Sequence, residues 1–353
     1  PEIRRRNRVN LPPPQAELRN RLDLRVGRDD FCEFAAEMLK TLLPVYLLEG
    51  YTRLEPCWRA CRWPKEPRAI LTAVSYQFDE VFQHYAATMR ARHGSKLVFG
   101  QHGGVSGVLQ WSFGEDHQLD VADRFITWGW RSTDRKIVPG FVFTNLGKKL
   151  NPRQGGDLLL TTGAMRRYSH KGGAWPVGPS QGKAYLADQI AFRGLLQPAA
   201  SRSFVLRIIE AQDIRFGSEF IDNWRARFPD VKVDDSKKPI SLALEQSRLF
   251  VYTYNSTGYL ETLSINFPTI MFWNPQLFET SPAFSRHLDA LEEVGIFHAT
   301  PESAAAHVNR IWNDVAGWWN STSVQRCRAE FANAFARPAP VGWIGFFRQC
   351  LNG

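Results

Sequence analysis

The chain has 353 residues, 44% hydrophobic and 22% charged, which is ordinary globular composition and long enough for two domains. An aromatic content of 13% excludes a disordered chain, and no apolar run reaches the roughly 20 residues that a bilayer-spanning helix needs. The net charge of +9 favours an anionic partner, either nucleotide phosphates or an anionic membrane face. Zinc-finger, RRM and KH signatures are missing from the sequence, so we do not expect nucleic acid as the partner.

The cysteines are five in number and scattered, which is typical of reduced thiols in a cytoplasmic protein. Cys57 and Cys61 form a C-x-x-x-C pair, but no second pair completes a zinc site. No D-x-D sequence stands at a predicted strand end, so the sequence predicts no metal. The arginines are densest at the N-terminus, where a basic arm contains Arg4, Arg5, Arg6 and Arg8.

A strand–helix–strand pattern begins at residue 69. The apolar run 69–76 predicts a strand, residues 78–93 an amphipathic helix and Lys96–Gly100 a second strand. This βαβ unit implies a parallel sheet with right-handed crossovers. Two further apolar runs, 124–128 and 157–161, predict strands that continue the same series.

A second series of strands follows, at residues 203–209, 248–253 and 269–273, with helices between them. The predicted fold class is therefore α/β, with two Rossmann-like, doubly wound halves and a cleft between them. We expect three parts: an N-terminal Rossmann-like domain with the basic arm, a C-terminal Rossmann-like domain and C-terminal helices. Their expected ranges are 1–197, 198–322 and 323–353, with a linker near Pro198.

Ligands of open α/β sheets bind beyond the carboxyl ends of the strands, so the residues there are the first candidates. One candidate is the turn Gln101-His102-Gly103-Gly104, where bare backbone N–H groups can hold an anion. His102 would donate a hydrogen bond to a substrate or act as an acid or base. The alternative is a tight strand-to-helix turn whose histidine bonds internally.

A second candidate lies ahead of a predicted helix at 259–265. Hydroxyl groups, a glycine and free N–H groups at a helix start suit a phosphate, and here they come from Tyr254, Asn255, Ser256, Thr257 and Gly258. The alternative is plain N-capping, for which serine and threonine are favoured. If the segment instead binds a nucleotide, Glu261 would lie where a carboxylate can bind two ribose hydroxyls.

Three charged residues stand in positions that need an explanation. Arg207 interrupts an apolar strand, which indicates either a bound anion or a buried ion pair. Asp188 falls on the apolar side of a helix at 183–196, where a carboxylate is either functional, paired or near a helix end. Glu115 follows the glycine-rich turn closely enough to reach the cleft.

Several ordered motifs together carry a family resemblance. These are KLVFGQHGG, GEDHQLDVADRFITWGW, YNSTGYLETLSINFPTIMFW, GIFHATPESAA and the pair Trp318-Trp319. The chain resembles a bacterial surface-carbohydrate transferase family, whose best-defined relatives are the β-Kdo transferases of O-antigen and capsule assembly. The resemblance implies a GT-B-type fold, a CMP-Kdo donor in the C-terminal half, an acceptor sugar in the N-terminal half and a retaining reaction.

The resemblance also assigns roles to residues. Gln101, His102, Gly103 and Gly104 match the N-half motif, while Ser256, Thr257 and Glu261 match the nucleotide-side motif. A retaining reaction through a carboxylate nucleophile makes Asp188 the first choice for that role, with Glu115 as acid/base or acceptor-positioning partner. We expect donor contacts from Arg207 as well, and acceptor contacts from Trp128 and Arg166.

The implied partners are a CMP-sugar co-substrate, without a further cofactor, and an oligosaccharide or lipid-linked glycan acceptor. A lipid-linked acceptor would bring this cytoplasmic protein to the inner face of the membrane, where the basic arm would contact anionic lipid. Two alternatives stay open. One is a GT-B relative that uses another CMP-sugar or a UDP-sugar, and the other is a non-catalytic glycan- or lipid-binding part of a larger assembly protein.

Overall fold

The computed structural model describes residues 10–23, 27, 29–163, 179–209, 214–234 and 237–352. The basic arm and Arg166 lie outside these residues. By internal contacts the chain divides into two compact units, Pro1–Gly100 with Phe347–Gly353, and Gln101–Phe346. Within the described ranges, every helix is too short or too polar to cross a membrane.

The described residues form strands that pair in parallel, in two sheets of four and six strands. The strands are β1 (Ala69–Thr72), β2 (Lys96–Gly100), β3 (Arg124–Thr127), β4 (Ile137–Pro139), β5 (Asp157–Gly163), β6 (Phe204–Ile209), β7 (Lys232–Asp234), β8 (Ser247–Tyr252), β9 (Thr269–Phe272) and β10 (Phe297–His298). The prediction of an α/β fold with parallel sheets is confirmed.

Helices connect and flank the strands. They are α1 (Ala16–Asn20), α2 (Asp30–Leu42), α3 (Tyr51–Ala60), α4 (Ser75–Phe78), α5 (Glu80–His93), α6 (Phe113–Val121), α7 (Pro179–Gly194), α8 (Pro198–Arg202), α9 (Ile214–Arg227), α10 (Ile240–Leu244), α11 (Thr257–Ser264), α12 (Pro282–Glu293), α13 (Pro301–Ile311), α14 (Val315–Trp319), α15 (Thr322–Phe335) and α16 (Trp343–Asn352).

The first unit contains the predicted βαβ pattern. In β1 and β2, Ala69 lies opposite Lys96. Helix α5 between them begins where Asp79 accepts a hydrogen bond from the Phe82 N–H, and it ends at Gly94 with a φ of 66°. These are ordinary start and stop signals for a helix. Its buried face packs into a core that consists of Trp58, Ile70, Tyr85, Ala86 and Met89.

The six-stranded sheet of the second unit has the order β7-β6-β5-β8-β9-β10. The chain runs outward from β5 to β7, returns to the other side of β5 at β8, and runs outward again to β10. This is the Rossmann strand order, and its direction reverses between β5 and β8. Leu158 and Leu160 of β5 and Leu249 and Val251 of β8 are fully buried, as expected for central parallel strands.

The structure corrects one strand assignment. Strand β5 does not continue the first series, because it pairs with β6 on one side and with β8 on the other. The short strands β4, β7 and β10 are additions to the predicted set. The domain boundaries expected at residues 197 and 322 remain predictions.

Candidate functional site

The turn after β2 is held by Gln101. Its buried side chain accepts hydrogen bonds from the Trp128 N–H (2.7 Å) and the Trp130 indole N–H (3.0 Å). Its amide nitrogen donates to the Gly103 carbonyl over 2.8 Å, and its backbone N–H donates to Ile126 in β3. Gln101 is therefore used within the fold, and its contact with a substrate stays a prediction.

The same turn packs directly against the start of α11. The Gly104 N–H donates to Thr257 Oγ1 over 3.1 Å. A Cβ atom at Gly104 would lie 2.4 Å from the Ser256 carbonyl oxygen, and one at Gly103 would lie 2.9 Å from Thr257 Oγ1. The two predicted motifs thus meet through backbone contacts that only glycine allows at Gly104.

Helix α11 follows β8, at the point where the strand order reverses. In the described part of the chain no side-chain hydrogen bond caps this helix, although Ser256 occupies the N-cap position. Asn255, just ahead of it, is fully buried and accepts a hydrogen bond from the Tyr259 hydroxyl (2.8 Å). Its Nδ2 atom has no partner among the described atoms. Because the cap hydrogen bond is missing, plain N-capping does not explain this segment. The Asn255 nitrogen also needs an explanation, since buried polar groups are nearly always satisfied.

Two other residues of this segment serve packing. Tyr254 is buried, and its ring centroid lies 4.3 Å from that of Tyr252. A Cβ atom at Gly258 would lie 2.4 Å from the Tyr252 ring. These contacts fix the entry of the chain into α11, where Ser256 and Thr257 are half-buried and Asn255 is fully buried.

Glu261 lies one turn into α11 and is oriented by a segment that the sequence did not single out. Its carboxylate accepts a hydrogen bond from the Thr144 hydroxyl (2.6 Å), and its backbone carbonyl accepts one from Asn145 Nδ2 (2.7 Å). Burial raises the pKa of Glu261, against the Thr144 hydrogen bond and the positive charges of Lys148 and His102. His102 is exposed, and its charge is near enough to act on the pKa of Glu261.

Glu115 contacts the glycine-rich turn at Gly107, beyond the part that packs on α11. Its carboxylate accepts a hydrogen bond from the Gly107 N–H over 2.8 Å. Burial, and then the negative charge of Asp116, raise the pKa of Glu115. A carboxyl group with a raised pKa suits proton transfer, so the assignment of Glu115 as acid/base remains a prediction.

Asp188 lies on α7, beside Glu302 in the first turn of α13. Burial, and then the negative charge of Glu302, raise the pKa of Asp188. No ion pair or hydrogen bond to the Asp188 carboxylate occurs among the described residues, so the salt-bridge alternative is not found there. One turn earlier, the Tyr185 hydroxyl bonds Thr253 Oγ1 (2.8 Å) and anchors α7 at the carboxyl end of β8.

Two predicted site residues are structural. Arg207 pairs with Asp234 on β7, and its Nη2 donates to the Lys238 carbonyl over 2.7 Å. The buried ion pair that the sequence left as an alternative is thus found, and the donor contact stays a prediction. Trp128 is fully buried beneath the Gln101 turn, so its ring is not available to an acceptor.

The GIFHATPESAA motif forms β10 and the start of α13. His298 Nε2 donates to the Gly295 carbonyl (3.1 Å), so Nδ1 accepts from the Ser303 hydroxyl (2.8 Å). Burial lowers the pKa of His298 to about 4, which keeps the imidazole neutral at pH 7. The histidine therefore orders this helix start. Among the described residues, no cluster of three His, Cys, Asp or Glu side chains could hold a metal ion.

A family model described as "LIC12162 family transferase" matches residues 2–351. The chain belongs to the LIC12162 family of transferases. No curated protein matches the sequence significantly.

Several solved structures are similar at low identity. Acinetobacter baumannii MurG is 11% identical, with a TM-score of 0.42 over 87% of this chain and 80% of that one. Anabaena HepE, solved with UDP-glucose, is 12% identical with a TM-score of 0.47 over 92% and 88%. The spinosyn rhamnosyltransferase SpnG is 13% identical with a TM-score of 0.46 over 96% and 86%. At this distance the three structures assign neither a donor nor an acceptor.

Gly104→Ala tests the contact between the turn and α11. The added methyl group meets the Ser256 carbonyl, so we expect the free energy of unfolding to fall by about 1–3 kcal/mol. Urea denaturation measures it. Gly342→Ala is the control, because a Cβ there meets nothing within 4 Å. Equal stability of the two variants would contradict the close packing.

Proposed function

We propose that the chain is a GT-B-type glycosyltransferase that binds the nucleotide of an activated sugar at the start of α11. The observation that carries the proposal is the contact of the Gly103-Gly104 turn with Ser256 and Thr257. It lies at the end of β8, beside the reversal of a Rossmann-order sheet, which is where such sheets bind ligands.

The proposed donor is CMP-Kdo or a related CMP-nonulosonate, and the proposed acceptor is a sugar of a bacterial surface glycan. The ordered motifs described above support this choice. So does charge, because a phosphodiester and a carboxylate are both anionic and the chain carries a net +9. The N–H groups of the first turn of α11 would stabilise the phosphate of departing CMP. A cytoplasmic location at the inner membrane face belongs to the same proposal.

The proposed reaction retains configuration at the anomeric carbon. The Asp188 carboxylate attacks that carbon as the bond to CMP breaks, and an acceptor hydroxyl then displaces Asp188. Glu115 or His102 takes the proton of the acceptor hydroxyl. Glu261, held by Thr144, is placed to bind the ribose hydroxyls.

A thermal-shift series with CMP, CDP, UMP, UDP, GDP, AMP and NAD tests the donor class. A ligand at 100 times its Kd adds about 2.7 kcal/mol of stability, so CMP should raise the melting temperature clearly. Thr257→Val removes the acceptor of the Gly104 N–H and should weaken CMP binding about 5- to 10-fold. Thr257→Ser keeps the hydroxyl and should bind nearly as the wild type does.

Other outcomes of this series are equally specific. Stabilisation by UDP or GDP instead of CMP would keep the nucleotide site and replace the donor. No response to any nucleotide would overturn the proposal in favour of a non-catalytic binding protein. Unchanged CMP affinity in Thr257→Val would remove Thr257 from the site.

Asp188→Asn tests the nucleophile. We expect CMP release from CMP-Kdo to fall at least about 1,000-fold with unchanged CMP affinity, whereas Asp222→Asn, an exposed acid on α9, should have no effect.

Activity that needs ionised Asp188 is lost as pH falls through its pKa. Because the Glu302 charge raises that pKa, Glu302→Gln should move the acidic limb of the pH–rate profile to lower pH. An unmoved limb, or full activity of Asp188→Asn, would contradict the assignment.

A further inference from the structure

A cavity lies within the unit Gln101–Phe346, at the Gly107 end of the glycine-rich turn. Its volume is about 750 Å³, in the range of small-molecule sites. The cavity is bounded by the turn at Gly107, the segment after β3, the first half of α12 and the end of α15. Gly104, in the same turn, contacts α11, where the nucleotide is proposed to bind. The cavity and the proposed nucleotide site therefore lie at different ends of the glycine-rich turn.

The charged groups that line the cavity are mostly cationic. Arg131, Arg286 and Arg337 face it together with a single acid, Glu330. Within the described residues, no side-chain hydrogen bond or ion pair occupies Arg131 or Arg337, and Arg286 uses only its Nε, toward its own helix. Arg131 and Arg337 line the same cavity, and burial, followed by the charge of Arg131, lowers the pKa of Arg337. Unpaired neighbouring arginines repel each other unless an anion lies between them.

The walls that carry these arginines are rigid. The Arg337 N–H donates to the Trp128 carbonyl (2.8 Å), and the Arg337 carbonyl accepts from Val142 (2.9 Å). The Trp130 indole is fixed by Gln101, and its ring packs on Gly107, which has a φ of 71°. Arg131 follows Trp130 directly, so both guanidinium groups start from fixed backbone. Such preorganisation lowers the cost of binding.

Polar groups other than arginine also face the cavity. Asn333, His287 and Glu330 offer neutral and anionic hydrogen-bonding groups beside the Trp130 ring. A ligand with many hydroxyl groups can use such a lining, and an oxyanion on it would match the arginines. We propose that this cavity binds an anionic saccharide, whose phosphate or carboxylate group is held between Arg131 and Arg337. The site goes beyond the proposed function, because it requires neither the nucleotide nor the transfer reaction.

Calorimetric titration of the full chain without nucleotide tests the site. The probes are glucose 6-phosphate, glucuronate, glucose and inorganic phosphate, at low ionic strength. We expect at least one of the two anionic sugars to bind and glucose not to bind. The anionic sugar that binds more tightly identifies the oxyanion as phosphate or carboxylate.

Variants connect binding to the two arginines. Arg131→Gln with Arg337→Gln should weaken binding of the anionic sugar about 10- to 100-fold, because charge-assisted hydrogen bonds are lost. Replacement of both arginines by lysine keeps the charge but not the forked geometry and should give an intermediate affinity. Arg326→Gln, an exposed residue of α15 outside the cavity lining, is the matched control and should bind as the wild type does.

Melting temperature without ligand separates a binding role from a structural one. Since the two charges repel each other, the double glutamine variant should melt at or above the wild-type temperature. If that variant does not fold, exposed Arg131→Gln alone should still weaken binding several-fold. Binding that is unchanged in these variants, equal binding of glucose, tighter binding of inorganic phosphate than of either sugar, or no anionic-sugar binding would each overturn the proposal.

Discussion

The close approach of the Gly103-Gly104 backbone to Ser256 and Thr257 fixes the geometry on which the site depends. A hydrogen bond from the Gly104 N–H to Thr257 Oγ1 and the lack of a Cβ at Gly104 bring two residues that are 153 positions apart into contact. This contact places His102 beside Glu261. It also sets the end of the turn, where Gly107 meets Glu115 and the Trp130 ring.

Burial is the main influence on the pKa values of the three acids predicted for the site. It raises the pKa values of Glu115, Asp188 and Glu261, and in no case does a nearby cation fully offset it. Carboxyl groups with raised pKa values are unusual on an ordinary protein surface and are concentrated in functional sites. We propose that these groups serve the transfer reaction, which needs a nucleophile, an acid and a base.

The sequence predicted the local features of the fold well. The β2 bounds agree with the apolar run Lys96–Gly100, and each other predicted run contains a strand. The run 69–76 is the exception in length, because β1 ends at Thr72 and Ser75 begins α4. The partner of a strand is a different matter, because hydrophobic periodicity says nothing about which sheet a strand joins. For this reason β5 was expected in the first series but pairs with β6 and β8. The short strands β4, β7 and β10 lack a long enough apolar run to be predicted.

The site was predictable only where a motif marked it. Glycines and hydroxyls at strand ends identified the two segments that meet at Gly104 and Thr257, although not the contact itself. Thr144 and Asn145 carry no local signal and become relevant only through Glu261. Arg207 illustrates the opposite case, because its partner Asp234 lies on a neighbouring strand that the sequence did not predict. Residues that act through distant partners need the tertiary structure.

Hydrogen exchange of the full chain, with and without saturating CMP, tests the central claim most directly. If the nucleotide binds at the start of α11, the amides of residues 255–260 should exchange more slowly with CMP, while those of β1 in the first unit should not change. Protection that leaves residues 255–260 unaffected and appears elsewhere would contradict the account.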